Sequence, residues 1–318
     1  MFLSVVVPCF NEEKMVEKFY KVVLDYIKDN SNFTKYEFVF VDDGSKDSTL
    51  DIIKKLREND CCIRYVSFSR NFGKEAGMYA GLKEAKGDLV VLMDADLQHP
   101  PSLFKKMSDL IINEGYDSVG AVRENRKGES KIKSFLSSRF YKFINMISDT
   151  HISENSTDYR MMTRRFVNAV LSLSEYNRFT KGIFSWVGFR NIEIKYENVE
   201  REDGDSKWSI FNLFKYSIEG IISFSTFPLV VSSVLGIICF VGSIIMFLVF
   251  LFKSVMFGDA VKGFPTIICS IFFLGGIQLL SIGILGQYLS KTYLEVKNRP
   301  IYIARETSEN ELGKTVFK

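Results

Sequence analysis

The sequence predicts a mostly parallel α/β domain followed by two membrane-spanning helices, and two contrasting patterns support this fold class. From residue 1 to about 206, short apolar runs alternate with charged helical stretches, as in soluble α/β domains. Residues 227–252 and 264–290 then contain no charged side chain. Each of these stretches exceeds the roughly 20 residues that a helix needs to cross the hydrocarbon core of a bilayer.

Strands and helices alternate along the first domain. Strands are predicted at residues 3–7, 37–41, 63–68 and 90–93, and the helices between them begin near Asn11, Thr49 and Gly73. Further strands are predicted at 116–122 and 192–196. This order predicts parallel strands joined by helical crossovers. A plain Rossmann dehydrogenase is disfavoured, because no G-x-G-x-x-G motif follows the first strand.

Acidic side chains follow three of the predicted strands. They are Glu12, Asp43, Asp94 and Asp96. The carboxyl ends of parallel strands share one edge of a sheet, and ligands bind at that edge in open α/β folds. An isolated Asp-Ala-Asp turn is usually only solvated, but several carboxylates gathered at one edge repel each other unless a cation joins them. Oxygen ligands without clustered His or Cys suit Mg²⁺ or Mn²⁺ carrying a diphosphate, rather than zinc.

Net charge, cysteine content and the start of the first strand narrow the possible ligands and the cellular location. A net charge of +3 gives no argument for nucleic-acid binding, and the five cysteines show no metal-ligand spacing. The first predicted strand begins at residue 3, which leaves no room for a signal peptide, so we expect the α/β domain in the cytoplasm. The basic residues after the second hydrophobic stretch agree with that orientation, although two lysines in the intervening loop weaken the contrast.

Four segments, taken together, resemble glycosyltransferase family 2. They are residues 7–12, 41–45, 69–75 and 94–98. More narrowly, they are similar to the polyprenyl-phosphate glycosyltransferases, which include dolichyl-phosphate mannose synthase and the bactoprenol glucosyltransferases. The resemblance implies a GT-A fold and a metal-dependent, inverting transfer of a sugar from a nucleotide sugar to a lipid phosphate. It favours UDP-glucose as donor and undecaprenyl phosphate as acceptor, with N-acetylglucosamine, galactose or GDP-mannose left open, at the cytoplasmic face of the plasma membrane.

The resemblance also assigns roles position by position. It implies a nucleotide-sugar site formed by Pro8, Phe10, Glu12, Val41, Asp43, Asp94, Ala95, Gln98 and Arg123. It implies metal contacts from Asp94, Asp96 and Gln98, acceptor-phosphate contacts from Arg126, Arg139 and Arg160, and catalytic roles for Asp96, Asp158, Arg201 and Lys207. Arg201 and Lys207 would close over the diphosphate as a lid. Asp158 is either a base or a positioning group, because the attacking phosphate oxygen is already anionic near neutral pH.

The remaining stretches complete the predicted organisation. Residues 131–147 form a basic amphipathic helix that lies either in the lipid headgroup region or packed on the sheet. The predicted order is a catalytic domain at 1–207, an interfacial helix at 208–226, spans at 227–252 and 264–290 around a short external loop at 253–263, and a basic cytoplasmic tail at 291–318. Small residues in the spans permit close helix contacts, and hence a homo-oligomer.

Two other functions are weighed against this one. A processive polysaccharide synthase is disfavoured, because the Gln-x-x-Arg-Trp motif of such enzymes is missing from the sequence. A non-catalytic membrane scaffold or flippase partner would tolerate loss of Asp94, Asp96 or Arg201, whereas the sequence retains all three. The lone His99 beside a proline turn is interpreted as structural.

Overall fold

The computed structural model describes residues 1–123, 145–146, 156–196, 227–257 and 264–309. The chain forms two compact units. The first comprises residues 1–146, 150–210 and 298–318, and the second comprises residues 147–149 and 211–297. Several predicted features lie outside the described residues: Arg126, Arg139, Arg201, Lys207, the interfacial helix at 208–226 and nearly all of the amphipathic stretch at 131–147.

The described part of the first unit contains an eight-stranded sheet. Its strands are β1 (Phe2–Cys9), β2 (Lys35–Asp42), β3 (Ile63–Phe68), β4 (Leu89–Leu92), β5 (Ser118–Arg123), β6 (Ser156–Thr163), β7 (Asn191–Tyr196) and β8 (Ala304–Thr307), in the order β7-β5-β6-β4-β1-β2-β3-β8. β1 pairs in parallel with β2 and β4, β2 with β3, and β5 with β7. β6 runs antiparallel between β4 and β5, and β8 runs antiparallel to β3. The predicted parallel α/β fold is therefore confirmed, with two antiparallel strands that the sequence patterns did not indicate.

Helices cover both faces of this sheet. They are α1 (Val16–Lys28), α2 (Thr49–Asn59), α3 (Lys74–Glu84), α4 (Leu103–Glu114), α5 (Arg164–Ser172) and α6 (Thr180–Trp186). The buried side chains of α1, α2 and α4 share a hydrophobic core with alternate residues of β1, such as Val5 and Val7. α3 lies on the opposite face, where a Cβ at Gly81 would collide with Val6. Gly77 lies nearer the amino end of α3, where an added Cβ would lie 3.3 Å from Pro8, so packing through glycine places that end against the carboxyl end of β1.

The second unit contains two long apolar helices, α7 (Phe227–Phe257) and α8 (Phe264–Val296). They extend beyond the predicted spans of 227–252 and 264–290. Within the described residues, one stretch, Phe273–Val296, is long and apolar enough to cross a membrane, and Phe227–Cys239 is a shorter apolar stretch. The structure therefore has a helix at each predicted span, but the two spans are not confirmed, because one segment of the described residues qualifies.

Part of the predicted basic tail at 291–318 forms regular structure. α8 continues to Val296, and residues 304–307 then form β8 on the sheet of the first unit. The chain therefore leaves the first unit before α7 and returns to it after α8.

Candidate active site

The loops that follow β1 and β2 are joined to each other at the carboxyl edge of the sheet. The backbone N–H of Asn11 donates to Ser45 Oγ at 3.0 Å, and the backbone N–H of Lys46 donates to Asn11 Oδ1 at 2.9 Å. The N–H of Glu12 donates to Thr49 Oγ1 at 2.8 Å. Asn11 adopts a left-handed conformation (φ 56°), which few residues other than glycine and asparagine adopt readily. These hydrogen bonds hold the two loops together at the edge of the sheet where the nucleotide site is predicted.

Asp43 joins the loop after β2 to the loop after β3. Its buried carboxylate accepts the backbone N–H groups of Phe72 at 2.6 Å and Gly73 at 2.9 Å. Burial raises the pKa of this carboxyl, and the two N–H donors oppose that rise. Gly44 has φ +68°, and a Cβ there would lie 2.6 Å from the carbonyl carbon of Arg70. Asp43 therefore holds the loops after β2 and β3 together, and its contact with a nucleotide stays a prediction.

Lys74 brings together two acidic residues that are distant in the sequence. Its ammonium lies 2.8 and 2.9 Å from the two carboxylate oxygens of Asp94 and 2.6 Å from Asp158 Oδ2. β6 pairs antiparallel with β4, with Arg160 opposite Leu92, so Asp158 extends past the end of β4 toward Asp94. The sequence patterns singled out both carboxylates but missed Lys74.

The charge state of Asp158 follows from these neighbours. Burial opposes its ionisation, but the positive charges of Lys74 and Lys181 outweigh burial and hold the pKa of Asp158 well below its usual range. The Lys74 pKa is raised in turn, because Asp158 and Asp94 outweigh the opposing effect of burial. Asp158 is therefore ionised at neutral pH and is a weak base, which favours a positioning role over proton abstraction.

Asp96 and Gln98 lie in the same loop as Asp94. Asp96 Oδ1 accepts the backbone N–H of Gln98 at 3.1 Å, across Leu97, which has φ 56°. Gln98 Oε1 accepts from Arg123 at 3.2 Å, so Arg123, the last residue of β5, reaches this loop. Two carboxylates and an amide oxygen on one short loop form a donor set that fits Mg²⁺ or Mn²⁺.

Another group of potential ligands lies elsewhere. Within the described residues, the one cluster of three ligand side chains close enough to share an ion is Asp60, Cys61 and Cys62. It precedes β3, at the amino edge of the sheet, and Asp60 Oδ2 already accepts from the hydroxyl groups of Tyr20 and Tyr36. This cluster is separate from the Asp94 loop.

Arg160 does not fit the predicted role of binding the acceptor phosphate. Its side chain is 6% exposed, donates to Ser118 Oγ at 2.8 Å, and lies 3.8 Å from Glu193. Its guanidinium stacks over Phe184, and burial lowers its pKa to about 10. These contacts enclose the guanidinium within the described part of the chain, so they favour a structural role for Arg160 over contact with the acceptor phosphate.

The other predicted residues differ in accessibility. Phe10 is 43% exposed at the end of β1, whereas Val41 and Ala95 are buried, so their side chains pack inside the protein. His99 is buried, and its ring stacks on Tyr159 with the centroids 5.1 Å apart, which agrees with a structural role.

Comparison with known proteins identifies the class. Residues 4–171 match the family model of glycosyl transferase family 2. The chain is 40% identical to a prophage bactoprenol glucosyl transferase homolog of Escherichia coli K12, over 97% of this chain and 100% of the relative. It is 42% identical to the bactoprenol glucosyl transferase of Shigella phage SfV, over 97% of this chain and 100% of the relative.

A solved structure is more distantly similar. Glucosyl-3-phosphoglycerate synthase from Mycobacterium tuberculosis, crystallised with Mn²⁺, UDP-glucose and phosphoglyceric acid, is 20% identical with a TM-score of 0.44, over 70% of this chain and 77% of that one. This likeness is too distant to indicate a ligand.

The matches define the protein as a glycosyltransferase with a GT-A-like, mostly parallel α/β fold. The chain belongs to glycosyl transferase family 2.

Proposed function

We propose that the chain transfers a hexose, with glucose favoured, from a UDP-sugar to undecaprenyl phosphate at the cytoplasmic face of the plasma membrane. The observation that carries this proposal is the full-length similarity to bactoprenol glucosyl transferases, which at 40–42% identity extends through the two apolar helices. An acceptor that resides in the membrane requires an enzyme that is held there, and long apolar helices provide such an anchor. Family membership argues against a non-catalytic scaffold.

Two membrane crossings are part of the proposal. β3 precedes α7 in the chain and β8 follows α8, and their pairing places both strands in the same unit. One crossing would leave β8 on the opposite side of the membrane from β3, whereas two crossings return the chain to the side that it left. α7 and α8, with 31 and 33 residues, are each long enough to span a bilayer.

The donor is assigned to the carboxyl edge of the sheet. Asp94 and Asp96, with Gln98 beside them, are the residues that would hold Mg²⁺ or Mn²⁺, which neutralises the diphosphate when it is bound. Arg123 orients Gln98 through their hydrogen bond. The loops fixed by Asn11 and Asp43 form the floor for the nucleoside, with the exposed ring of Phe10 beside them.

The transfer is proposed to be a single displacement with inversion. A phosphate oxygen of the acceptor attacks the anomeric carbon, and the bond to the diphosphate oxygen breaks as UDP leaves with the electron pair. A phosphate monoester has a second pKa near 6, so most of it is a dianion at pH 7 and needs no strong base. Asp158 holds Lys74 in place, and Lys74 sets a positive charge beside the loop of Asp94. Arg201 and Lys207 stay predicted as the lid that stabilises the leaving nucleotide.

Radiolabelled donors test this proposal. Membranes containing the chain are incubated with undecaprenyl phosphate and with labelled UDP-glucose, UDP-N-acetylglucosamine, UDP-galactose or GDP-mannose, with and without EDTA. We expect organic-extractable label from UDP-glucose and loss of that label with EDTA or with Asp96→Asn. Asp25→Asn, which removes an exposed carboxylate on α1, is the matched control and keeps activity. No extractable label from any of the donors would reject the proposed function.

A further inference from the structure

The segment that follows α8 is part of the catalytic sheet. We call residues 301–309 the return segment. The backbone N–H of Ser69 donates to the carbonyl of Ile303 at 3.0 Å, and that of Ser308 donates to the carbonyl of Tyr65 at 2.9 Å. Between these bonds, β8 pairs with β3. The return segment thus lies along β3 as far as the loop that follows it, at the edge assigned to the donor.

An aromatic path leads from the return segment to Asp43. The ring of Tyr302 stacks on that of Phe68, with centroids 4.8 Å apart and an interplanar angle of 23°. Phe68 meets Phe72 edge to face at 5.7 Å. The backbone N–H of Phe72 is one of the two donors that hold the Asp43 carboxylate. Removing the Tyr302 ring would therefore leave Phe68 and Phe72 without part of the packing that fixes the backbone at Asp43.

A polar path leads from the return segment to the same loop. Arg305 donates to Ser67 Oγ at 3.2 Å, and Ser67 Oγ donates its own proton to Asp42 Oδ2 at 2.7 Å. Asp42 Oδ1 accepts the backbone N–H of Ser45 at 3.0 Å. Ser67 and Asp42 are fully buried, so the hydrogen bond between them restricts both side chains more strongly than a solvated one, whereas the Arg305 side chain is 55% exposed. The loop of residues 42–45 is therefore linked to β8 through buried side chains.

Other contacts of the return segment hold it in place but lead away from the donor edge. Lys54 on α2 lies 2.8 Å from Glu306. Glu309 lies 2.9 Å from both Arg64 and Lys86. Glu306 also lies 3.7 Å from Arg305, whereas the ion pairs of Glu309 fasten the segment to the sheet without involving Arg305. A change at Glu309 therefore separates simple docking of the segment from an effect on the donor loops.

We propose that Tyr302 and Arg305 are positioning residues for the donor site, which act through the loops at 42–45 and 69–73. This inference rests on the proposed assignment of the nucleotide to Asp43 and its neighbours. Tyr302 fixes the loop after β3 by packing, and Arg305 fixes the loop after β2 through Ser67 and Asp42. The affinity for the donor then depends on a segment that follows the second apolar helix directly in the chain.

Direct binding of UDP tests the inference. The full chain is purified in detergent, and its affinity for UDP with Mg²⁺ is measured by titration calorimetry, alongside kcat and KM for UDP-glucose. Loss of one hydrogen bond or ring contact predicts about tenfold weaker UDP binding for Arg305→Ala and for Tyr302→Leu, with the loss in KM rather than in kcat. The conservative variants Arg305→Lys and Tyr302→Phe restore binding to within about threefold of wild type.

Glu309→Gln is the matched control, because it weakens the ion pairs with Arg64 and Lys86 but leaves both paths intact. It lowers thermal stability without changing UDP affinity. The inference is overturned if Arg305→Ala and Tyr302→Leu bind UDP as wild type does, or if Glu309→Gln weakens UDP binding as much as they do. If the wild-type chain binds no UDP, the donor assignment itself is refuted, and the inference falls with it.

Discussion

Replacing Asp158 with asparagine separates a positioning role from general base catalysis. Asparagine keeps an oxygen that accepts a hydrogen bond from Lys74 but removes the negative charge that holds the ammonium. We expect the variant to lose activity by the same factor at every pH between 6 and 9, because the wild-type carboxylate is already ionised throughout that range.

The size of the loss follows from the contact with Lys74. Two unit charges about 4 Å apart attract each other by about 4 kcal/mol at an effective dielectric of about 20. The Lys74 side chain is 45% exposed, so solvent screening reduces this attraction. A remainder of about 2 kcal/mol corresponds to a decrease in rate of about 30-fold.

A double-mutant cycle at saturating donor and acceptor is the assay. If Asp158 acts through Lys74, the double variant Lys74→Met with Asp158→Asn is no slower than the slower single variant. General base catalysis predicts a different result: a loss of up to about 10⁴-fold that varies with pH, and independent effects of the two substitutions. That outcome would refute the positioning role.

Three further predictions concern the metal, the loop after β2 and the effect of pH on stability. Asp96→Asn abolishes Mn²⁺ binding in the presence of UDP, measured by electron paramagnetic resonance, while Asp25→Asn keeps it; equal binding by both variants would contradict the assigned metal site. Gly44→Ala lowers the free energy of unfolding by about 2 kcal/mol or more in a denaturant titration, because left-handed strain is joined by a collision with the Arg70 backbone. Gly73→Ala (φ +95°) is strained, but its added Cβ meets no atom within 4 Å, so it lowers the free energy of unfolding less than Gly44→Ala does. Equal losses of stability in the two variants would show that the collision at Gly44 contributes nothing. Burial raises the pKa of Glu75 from near 4.5 to about 7, so the unfolded chain releases this proton first and stability falls as pH rises through that window. Glu75→Gln flattens this decline in melting temperature, and an unchanged slope would contradict it.

The parallel core of the fold was predictable because its signals are local. β1 to β4 are short apolar runs, and each predicted strand lies within one or two residues of the observed one. The turns that end them carry Asn11, Asp43 and Asp94, whose polarity marks the carboxyl edge. Buried parallel strands and polar loop residues are both visible in a short window of sequence.

β6 and β8 were not predictable in the same way, because distant partners decide them. β8 is only four residues, Ala-Arg-Glu-Thr, without an apolar alternation, and its Arg305 bonds to Ser67 across 238 positions. β6 begins with polar residues and owes its place to the pairing of Arg160 with Leu92. Tertiary pairing of this kind overrides local propensity.

The pairing of β6 with β4 also explains why Asp158 and Arg160 have different surroundings. Asp158 and Arg160 are two residues apart, but only Asp158 extends beyond the end of β4, while Arg160 lies within the sheet. Lys74 was missed because its acidic partners are 20 and 84 residues away. The sequence around a lysine at the start of a helix does not indicate such distant partners, which come together only when β4 and β6 pair.

Mass spectrometry of the lipid product tests the central claim most directly. The chain, purified in detergent, is incubated with unlabelled UDP-glucose, undecaprenyl phosphate and Mg²⁺, and the lipid extract is measured. The proposed function predicts undecaprenyl phosphate that carries one added hexose, formed by wild type and Asp25→Asn but not by Asp96→Asn. An unmodified lipid after prolonged incubation, with UDP-glucose either intact or hydrolysed to free glucose, would contradict it.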